Sequence, residues 1–286
     1  MSRAFGASRR FVLCAGSALI ALVAVAAHAA TPSACERAYT PRLGQPGKDV
    51  MWLPTSERLV ARMLDAARVT PADVVYDLGA GDGRIVVAAA KRGAKAVGIE
   101  YNPKLVELAR CLVQADGLSD RARIVQGDLF TASFADATVV ALYLLPELDL
   151  RLRPELLALR PGTRIVSHSY LMGDWSPDER IETPEGLAYL WVVPAHVDGS
   201  WVFRARRGRG RFAVTFIQTF QSLSGLVGDE GQALIGATIA GPRVSFAFRD
   251  EDGGLVHVAG EVDGARIDAR VTRRGESADY IAARAG

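Results

Sequence analysis

A chain of 286 residues with 49% hydrophobic and 23% charged side chains has the make-up of a folded protein, not a disordered one. Its 34 basic and 32 acidic residues nearly cancel to +2, so no overall field marks a nucleic acid or an acidic macromolecule as its partner. Three cysteines and four scattered histidines suggest neither a disulfide framework nor a metal cluster.

The first segment reads as an address. Arg3, Arg9 and Arg10 precede an apolar run from Phe11 to Ala27, and Ala27-His28-Ala29 offers small residues for signal peptidase. Residues 1–29 are therefore expected to be a signal peptide, with an uncleaved N-terminal anchor as the alternative. Both export the remainder to the periplasm or envelope, because the arginines stay inside. Ser8-Arg9-Arg10 before Phe11-Val12-Leu13 partly matches a twin-arginine signal. Translation starting near Met51, ahead of the whole expected fold, would instead leave the protein cytoplasmic. Cys14 lies in the signal. Cys35 lies in a Pro-, Gly- and charge-rich stretch, and residues 30–49 read as a linker. Cys111 falls on an apolar helical pattern and reads as a buried, inert thiol.

The first domain is expected over residues 50–194. In "TSERLVARMLDAARV", Leu59, Val60, Met63, Leu64 and Ala67 recur at helical spacing, with Thr55 or Ser56 as the N-cap. Strand and helix then alternate. "DVVYDLG" reads as a strand, "GRIVVAAAKRG" as a helix, "AKAVGIE" as a strand and "PKLVELARCLVQADG" as a helix. "ARIVQGD" and "ATVVALYLL" follow as strands, then a helix over about residues 147–159 and the strand "TRIVSHSY". Apolar strands alternating with helices predict a doubly wound α/β sheet, with ligands at the carboxyl ends of its strands. Residues 195–286 change character. "RFAVTFIQTFQ", "ALIGATIA", "RVSFAFR", "LVHVAGEV" and "RIDARVT" alternate and are separated by turns such as "EDGG" and "VDGA", which predicts a small all-β antiparallel meander. Gly199-Ser200-Trp201 resembles the opening of a lipocalin barrel, but the segment is too short for one.

The chemistry is written in "VVYDLGAGDGRIVVAAA". Glycines between a strand and a helix let a ligand approach backbone N–H groups and the positive helix end. Gly79, Gly81 and Gly83 are spaced Gly-x-Gly-x-Gly, and Arg84 stands where a dinucleotide loop has its third glycine. Asp77 and Asp82 add negative charge, which repels a pyrophosphate but suits the ammonium and sulfonium of S-adenosyl-L-methionine (SAM).

"DLGAGDGRI" resembles the first motif of the seven-strand class I SAM-dependent methyltransferases, a Rossmann-like fold. The run "WLPTSERLV … DLGAGDGRI … GIEYNP … LYLL … SHSYLMGDW" is similar to a group that includes mitochondrial lysine methyltransferases acting on a component of ATP synthase. The resemblance covers about residues 50–193. It implies that Glu100 accepts the ribose hydroxyls and Asp128 the adenine amine. It also implies that Asp77, Gly79, Ala80, Gly81, Asp82 and Gly83 face the methionine portion, and that Tyr101, Asn102 and Leu129 flank the nucleoside. Tyr143 would stand where the fourth strand meets the substrate, and Pro54 and Thr55 would close over the cofactor.

Methyl transfer needs alignment and dryness more than a strong base. A lysine acceptor, which the resemblance suggests, must arrive deprotonated, and Tyr143, Glu147, His168 and Tyr170 are the candidates to receive it. Leu144-Leu145-Pro146-Glu147 stands where enzymes that methylate nucleic-acid or glutamine amino groups carry Asn-Pro-Pro-Tyr. The expected partner is thus a protein substrate and not nucleic acid, with membrane contact only through the N-terminal segment; oligomeric state and any metal are not indicated. Arg204–Arg211 reads as an exposed hairpin loop, and Trp175, Trp191 and Trp201 as packing between the domains. A different class stays open: an exported protein that binds SAM or an adenosine ligand without turnover.

Overall fold

The computed structural model describes residue 1 and residues 31–285, so the expected export signal lies outside the described residues. Two sheets organise the chain. The first has seven strands in the order β3-β2-β1-β4-β5-β7-β6. They are β1 (Val74–Leu78), β2 (Lys95–Glu100), β3 (Ala122–Gln126), β4 (Val139–Leu142), β5 (Arg164–His168), β6 (Glu179–Thr183) and β7 (Gly186–Val192). The first five are parallel, and β7 joins β5 antiparallel. The hairpin β6–β7 supplies the two strands that the apolar-run pattern does not single out.

Five helices accompany these strands: α1 (Pro32–Ala38), α2 (Glu57–Ala66), α3 (Arg84–Lys91), α4 (Pro103–Ala115) and α5 (Pro146–Leu157). Leu59, Val60, Met63 and Leu64 of α2 pack with Val86 and Ala89 of α3 and Ala109 of α4 over one face of the sheet. Leu152 and Leu156 of α5 close the other face with Leu78, Leu142 and Trp191. The order reverses between β1 and β4, which opens a crevice at the strand ends where β1 runs into α3.

The second sheet has nine antiparallel strands in the order β11-β10-β9-β8-β16-β15-β14-β13-β12. They are β8 (Gly199–Ala205), β9 (Arg211–Thr219), β10 (Ser222–Val227), β11 (Gln232–Ala233), β12 (Ile235–Ala240), β13 (Arg243–Arg249), β14 (Leu255–Asp263), β15 (Arg266–Arg273) and β16 (Glu276–Arg284). Contact between β10 and β12 brings it close to a barrel around Phe203, Phe216, Phe246 and Val258. The expected strand "ALIGATIA" is broken: β11 ends at Ala233, and the register of β12 slips between Ile235 and Thr238 around left-handed Gly236. Trp201 donates to Val197 O at 2.7 Å, and Arg284 lies 4.8 Å over its ring, so this tryptophan belongs to the barrel. Trp175 and Trp191 do pack the junction. Trp175 stacks on Phe220 at 5.9 Å and donates to Gln221, and Trp191 donates to Trp175 O at 2.8 Å.

Two readings of the leader are corrected. The stretch expected as linker begins with α1, whose N-cap Thr31 and first-turn Pro32 are ordinary helix-start signals. Cys35 and Cys111, expected unpaired, form a disulfide. They are 76 residues apart, and α1 folds back along α4 so that the two cysteines meet between the helices. The apolar spacing of α4 correctly buries that face but cannot reveal what is packed on it.

Candidate active site

The glycine loop leaves β1 through Gly79, Gly81 and Gly83, each with positive φ. A Cβ on Gly81 would meet Trp52 at 2.9 Å. Gly83 plays a different part, since it is the N-cap of α3, a Cβ there would lie 2.9 Å from Ala109, and it does not line the cleft. Of the six loop residues expected at the cofactor, Asp77, Gly79, Ala80, Gly81 and Asp82 border the cleft.

Glu100, at the end of β2, ties loop to strand. One carboxylate oxygen accepts Gly81 N–H at 2.8 Å and the other accepts Asn102 N–H at 2.8 Å. Burial raises its pKa against these bonds. Asn102 caps α4 by accepting Lys104 N–H, and Tyr101, 53% exposed, stands at the rim. Beyond β3, Asp128 accepts Phe130 N–H at 3.0 Å and Lys48 Nζ at 2.6 Å, and Leu129 lines the same wall.

The electrostatics of the loop are lopsided. Asp82 is paired with Arg84 at 2.6 Å, and Arg84 also donates to Thr55 O at 2.7 Å. Asp77 has no salt bridge among the described residues and is 3% exposed. Burial first, then Asp82 and Glu100, push its pKa up to about 8. A buried carboxyl held this high, facing a cleft with two more carboxylates, is matched by a ligand that brings positive charge. The donor set therefore fits the sulfonium and ammonium of SAM.

Next to this cleft, Tyr143, Leu144, Leu145, Tyr170, Met51 and Leu53 enclose a second, largely apolar cavity. Tyr143 lines both. Its ring lies 3.9 Å from that of His168 and 6.5 Å from that of Tyr170. Left-handed Ser169, at φ 68°, turns the chain between those two residues. Two catalytic candidates fall elsewhere. Glu147 is exposed in the first turn of α5 and lines neither cavity. His168 is buried, shares a 3.0 Å hydrogen bond between Nδ1 and Thr55 Oγ1, and burial lowers its pKa to about 4. Burial thus favours the neutral imidazole, whose ring packs against that of Tyr143. Thr55 is thus a partner of His168, and Ser56 is the N-cap of α2.

The residues missed are those of the strap before α2. Gln45 to Leu53 cross the cleft, and Lys48 and Trp52 touch Asp128 and Gly81 respectively. No pattern in a polar, proline-containing stretch marks such a role.

With this geometry in view, similarity to known proteins decides the family. The profile of the ANTKMT methyltransferase domain matches residues 77–179. A protein-lysine N-methyltransferase of Saccharolobus islandicus is 42% identical over 154 residues, 51% of this chain and 96% of that protein. The chain belongs to the class I SAM-dependent methyltransferases. The mouse lysine N-methyltransferase named for the C subunit of ATP synthase is 33% identical over 196 residues, covering 68% of this chain and 70% of that one. Among solved structures, an RNA methyltransferase from Salinibacter ruber in complex with S-adenosyl-L-homocysteine is 46% identical, with a TM-score of 0.50 over 51% of this chain and 96% of its own. SAM is accordingly the cofactor of this methyltransferase, and the expectation of a sheet with helices followed by an all-β unit holds. The reading as a binder without turnover draws no support from relatives named as methyltransferases.

Proposed function

We propose that the enzyme methylates a lysine side chain of a protein, received through the cavity between Tyr143 and Tyr170. The observation that carries this reading is the pair of aromatic rings, 6.5 Å apart, beside a cofactor cleft rich in carboxylates. Names of two relatives support the same acceptor class.

Bound SAM supplies an electrophilic methyl on its sulfonium. Asp77, Gly79 and Gly81 would hold the methionine end, Glu100 the ribose and Asp128 the adenine side. Apolar walls at Met51, Leu53 and Leu145 strip water from the incoming amine, which favours its neutral form. Tyr143 borders both cavities, so it sets the line along which the amine nitrogen meets the methyl. Burial and the neighbouring Tyr170 raise its phenol pKa, so it remains a hydrogen-bond donor. The proton lost by the alkylated amine leaves to solvent through the open side of the acceptor cavity.

The exported location is part of the same proposal. Disulfides persist where thiols are oxidised, which supports a compartment outside the cytosol for a chain carrying Cys35–Cys111. Among the described residues, no helix is long and apolar enough to cross a membrane.

The experiment is incubation of the purified protein with methyl-labelled SAM and fractionated cell protein or RNA. Label on lysine peptides supports the reading. Label confined to RNA, the acceptor named for the Salinibacter ruber relative, overturns it.

A further inference from the structure

The strap before α2 is built as a lid. Gly44 donates to Trp52 O at 3.0 Å, Trp52 donates to Gln45 O at 2.9 Å, and Pro46 bridges Met51, so residues 44–52 form a small hairpin of their own. One face of that hairpin lines the cofactor cleft from Gln45 to Leu53. Its tip reaches across to Asp128 through Lys48, and its return leg sets the indole of Trp52 on Gly81. The strap thus spans both halves of the cofactor site, the methionine loop and the adenine wall.

What holds it down is uneven. On the α2 side it continues into Ser56, which caps that helix, and Thr55, which is tied to His168 and Arg84. At the tip Lys48 pairs with Asp128, with side chains 36% and 27% exposed, and lies 5.2 Å over the Tyr101 ring, and exposed contacts of that kind are worth little in water. On the other side the strap leaves α1 through Tyr39, which shares a hydrogen bond with Gln45 and sits under Lys104 at 5.9 Å. The one covalent anchor among the described residues is Cys35–Cys111, which fastens α1 to α4. Helix α4 is also the helix that Asn102 caps at the cofactor rim, so the anchor sets the distance between lid and site.

We propose that the Cys35–Cys111 disulfide latches this strap over bound SAM, so that the oxidised enzyme retains its cofactor and the reduced enzyme exchanges it. Closing the latch transfers two electrons and two protons from the cysteine thiols to an exchanging disulfide oxidant. One sulfur–sulfur bond forms in the protein as another breaks in the oxidant, which leaves as two thiols. A dithiol reductant reverses the step and is itself oxidised to a disulfide. Opening the latch removes the constraint on α1, and the tip is left with a solvent-exposed ion pair. A closed state populated a tenth of the time lowers apparent affinity about tenfold. Retention has a use for an enzyme that works where SAM is not made. The latch concerns cofactor exchange and is independent of which acceptor is methylated.

The test measures release of labelled SAM from the full-length protein, pre-folded and oxidised, before and after treatment with a dithiol reductant. Far-UV and near-UV circular dichroism follow the fold in the same samples. Expected are release about tenfold faster after reduction with the spectra retained, and a Cys35→Ser/Cys111→Ser variant that releases fast and ignores the reductant. Lys48→Met, which keeps the disulfide, should change release from the oxidised state by no more than a few-fold, because the pair it removes is worth little in water. Equal release rates in oxidised and reduced protein overturn the latch. So does reduction that melts the protein, since the disulfide would then be a staple for the whole fold. Absence of SAM binding in both states would instead strike at the cofactor site itself.

Discussion

Asp77→Asn separates what the loop does for the fold from what it does for the ligand. In the free protein the Asp77 carboxyl has a pKa of about 8, against an ordinary value of 3.8, because it is buried beside Asp82 and Glu100. Asp82 is neutralised by Arg84, and among the described residues no cation does the same for Asp77. A cationic ligand favours the ionised form, so binding must expel the proton. Below pH 8 the apparent affinity should rise about tenfold per pH unit, which makes roughly a 20-fold gain between pH 6 and pH 7.5. Calorimetry in two buffers of different ionisation enthalpy should register release of about one proton per SAM at pH 6 and about three-quarters of one at pH 7.5. The sign for stability is opposite. A carboxyl whose folded pKa is raised opposes folding as soon as the unfolded chain ionises, so stability of the ligand-free protein falls as pH climbs from about 4 to about 8. Asp77→Asn removes a penalty of the order of 6 kcal/mol at its upper bound. The variant should therefore unfold at higher temperature than the parent at pH 8 without ligand, while losing SAM binding and its pH dependence. A parent protein whose SAM affinity is flat with pH and releases no proton would refute this role for the loop.

Glu100→Gln keeps the shape but loses one acceptor for Gly81 or Asn102 N–H; SAM affinity should fall about 10- to 100-fold by calorimetry, with circular dichroism unchanged. If His168 acts through packing, His168→Asn should lower kcat without shifting the pH profile, whereas loss of the acidic limb of that profile would mark it as a proton acceptor. Trp175→Ala removes a fully buried ring at the junction of the two sheets and should cost about 3–5 kcal/mol in denaturant unfolding. Gly83→Ala combines a left-handed backbone with a 2.9 Å contact to Ala109, and should lower thermal stability while sparing residues that touch SAM.

The parallel half of the first sheet was legible because β1, β2 and β4 are mostly apolar on both faces and α2 and α4 carry their own N-caps. Val74–Leu78, Lys95–Glu100 and Val139–Leu142 all fall inside the runs expected as strands. Glu100 and Asp128 stood out because the resemblance to class I methyltransferases places acidic residues at the ends of the second and third strands. Hairpin β6–β7, strands β8 and β10 and the last strand β16 were harder. They mix exposed Glu, Arg, Ser and Asp with buried partners across the sheet, and those partners are set by tertiary pairing. Cys35–Cys111 was invisible for a related reason: a pairing across 76 residues depends on α1 lying against α4. His168 and Glu147 had suitable side chains, but His168 is buried and Glu147 is exposed outside both cavities, and neither placement can be read from residue type. Lys48 and Trp52 acquire their place only when the strap folds over the loop.

Methyl transfer from SAM to a protein lysine is the reaction proposed for this cleft. Its most direct measurement is peptide mass spectrometry of envelope and cytosolic proteins after incubation with methyl-labelled SAM and the purified enzyme, with the Asp77→Asn variant in parallel. Expected are labelled methyl groups on lysine in the parent sample and none in the variant. Label found only on RNA, or on protein at side chains other than lysine, would contradict it.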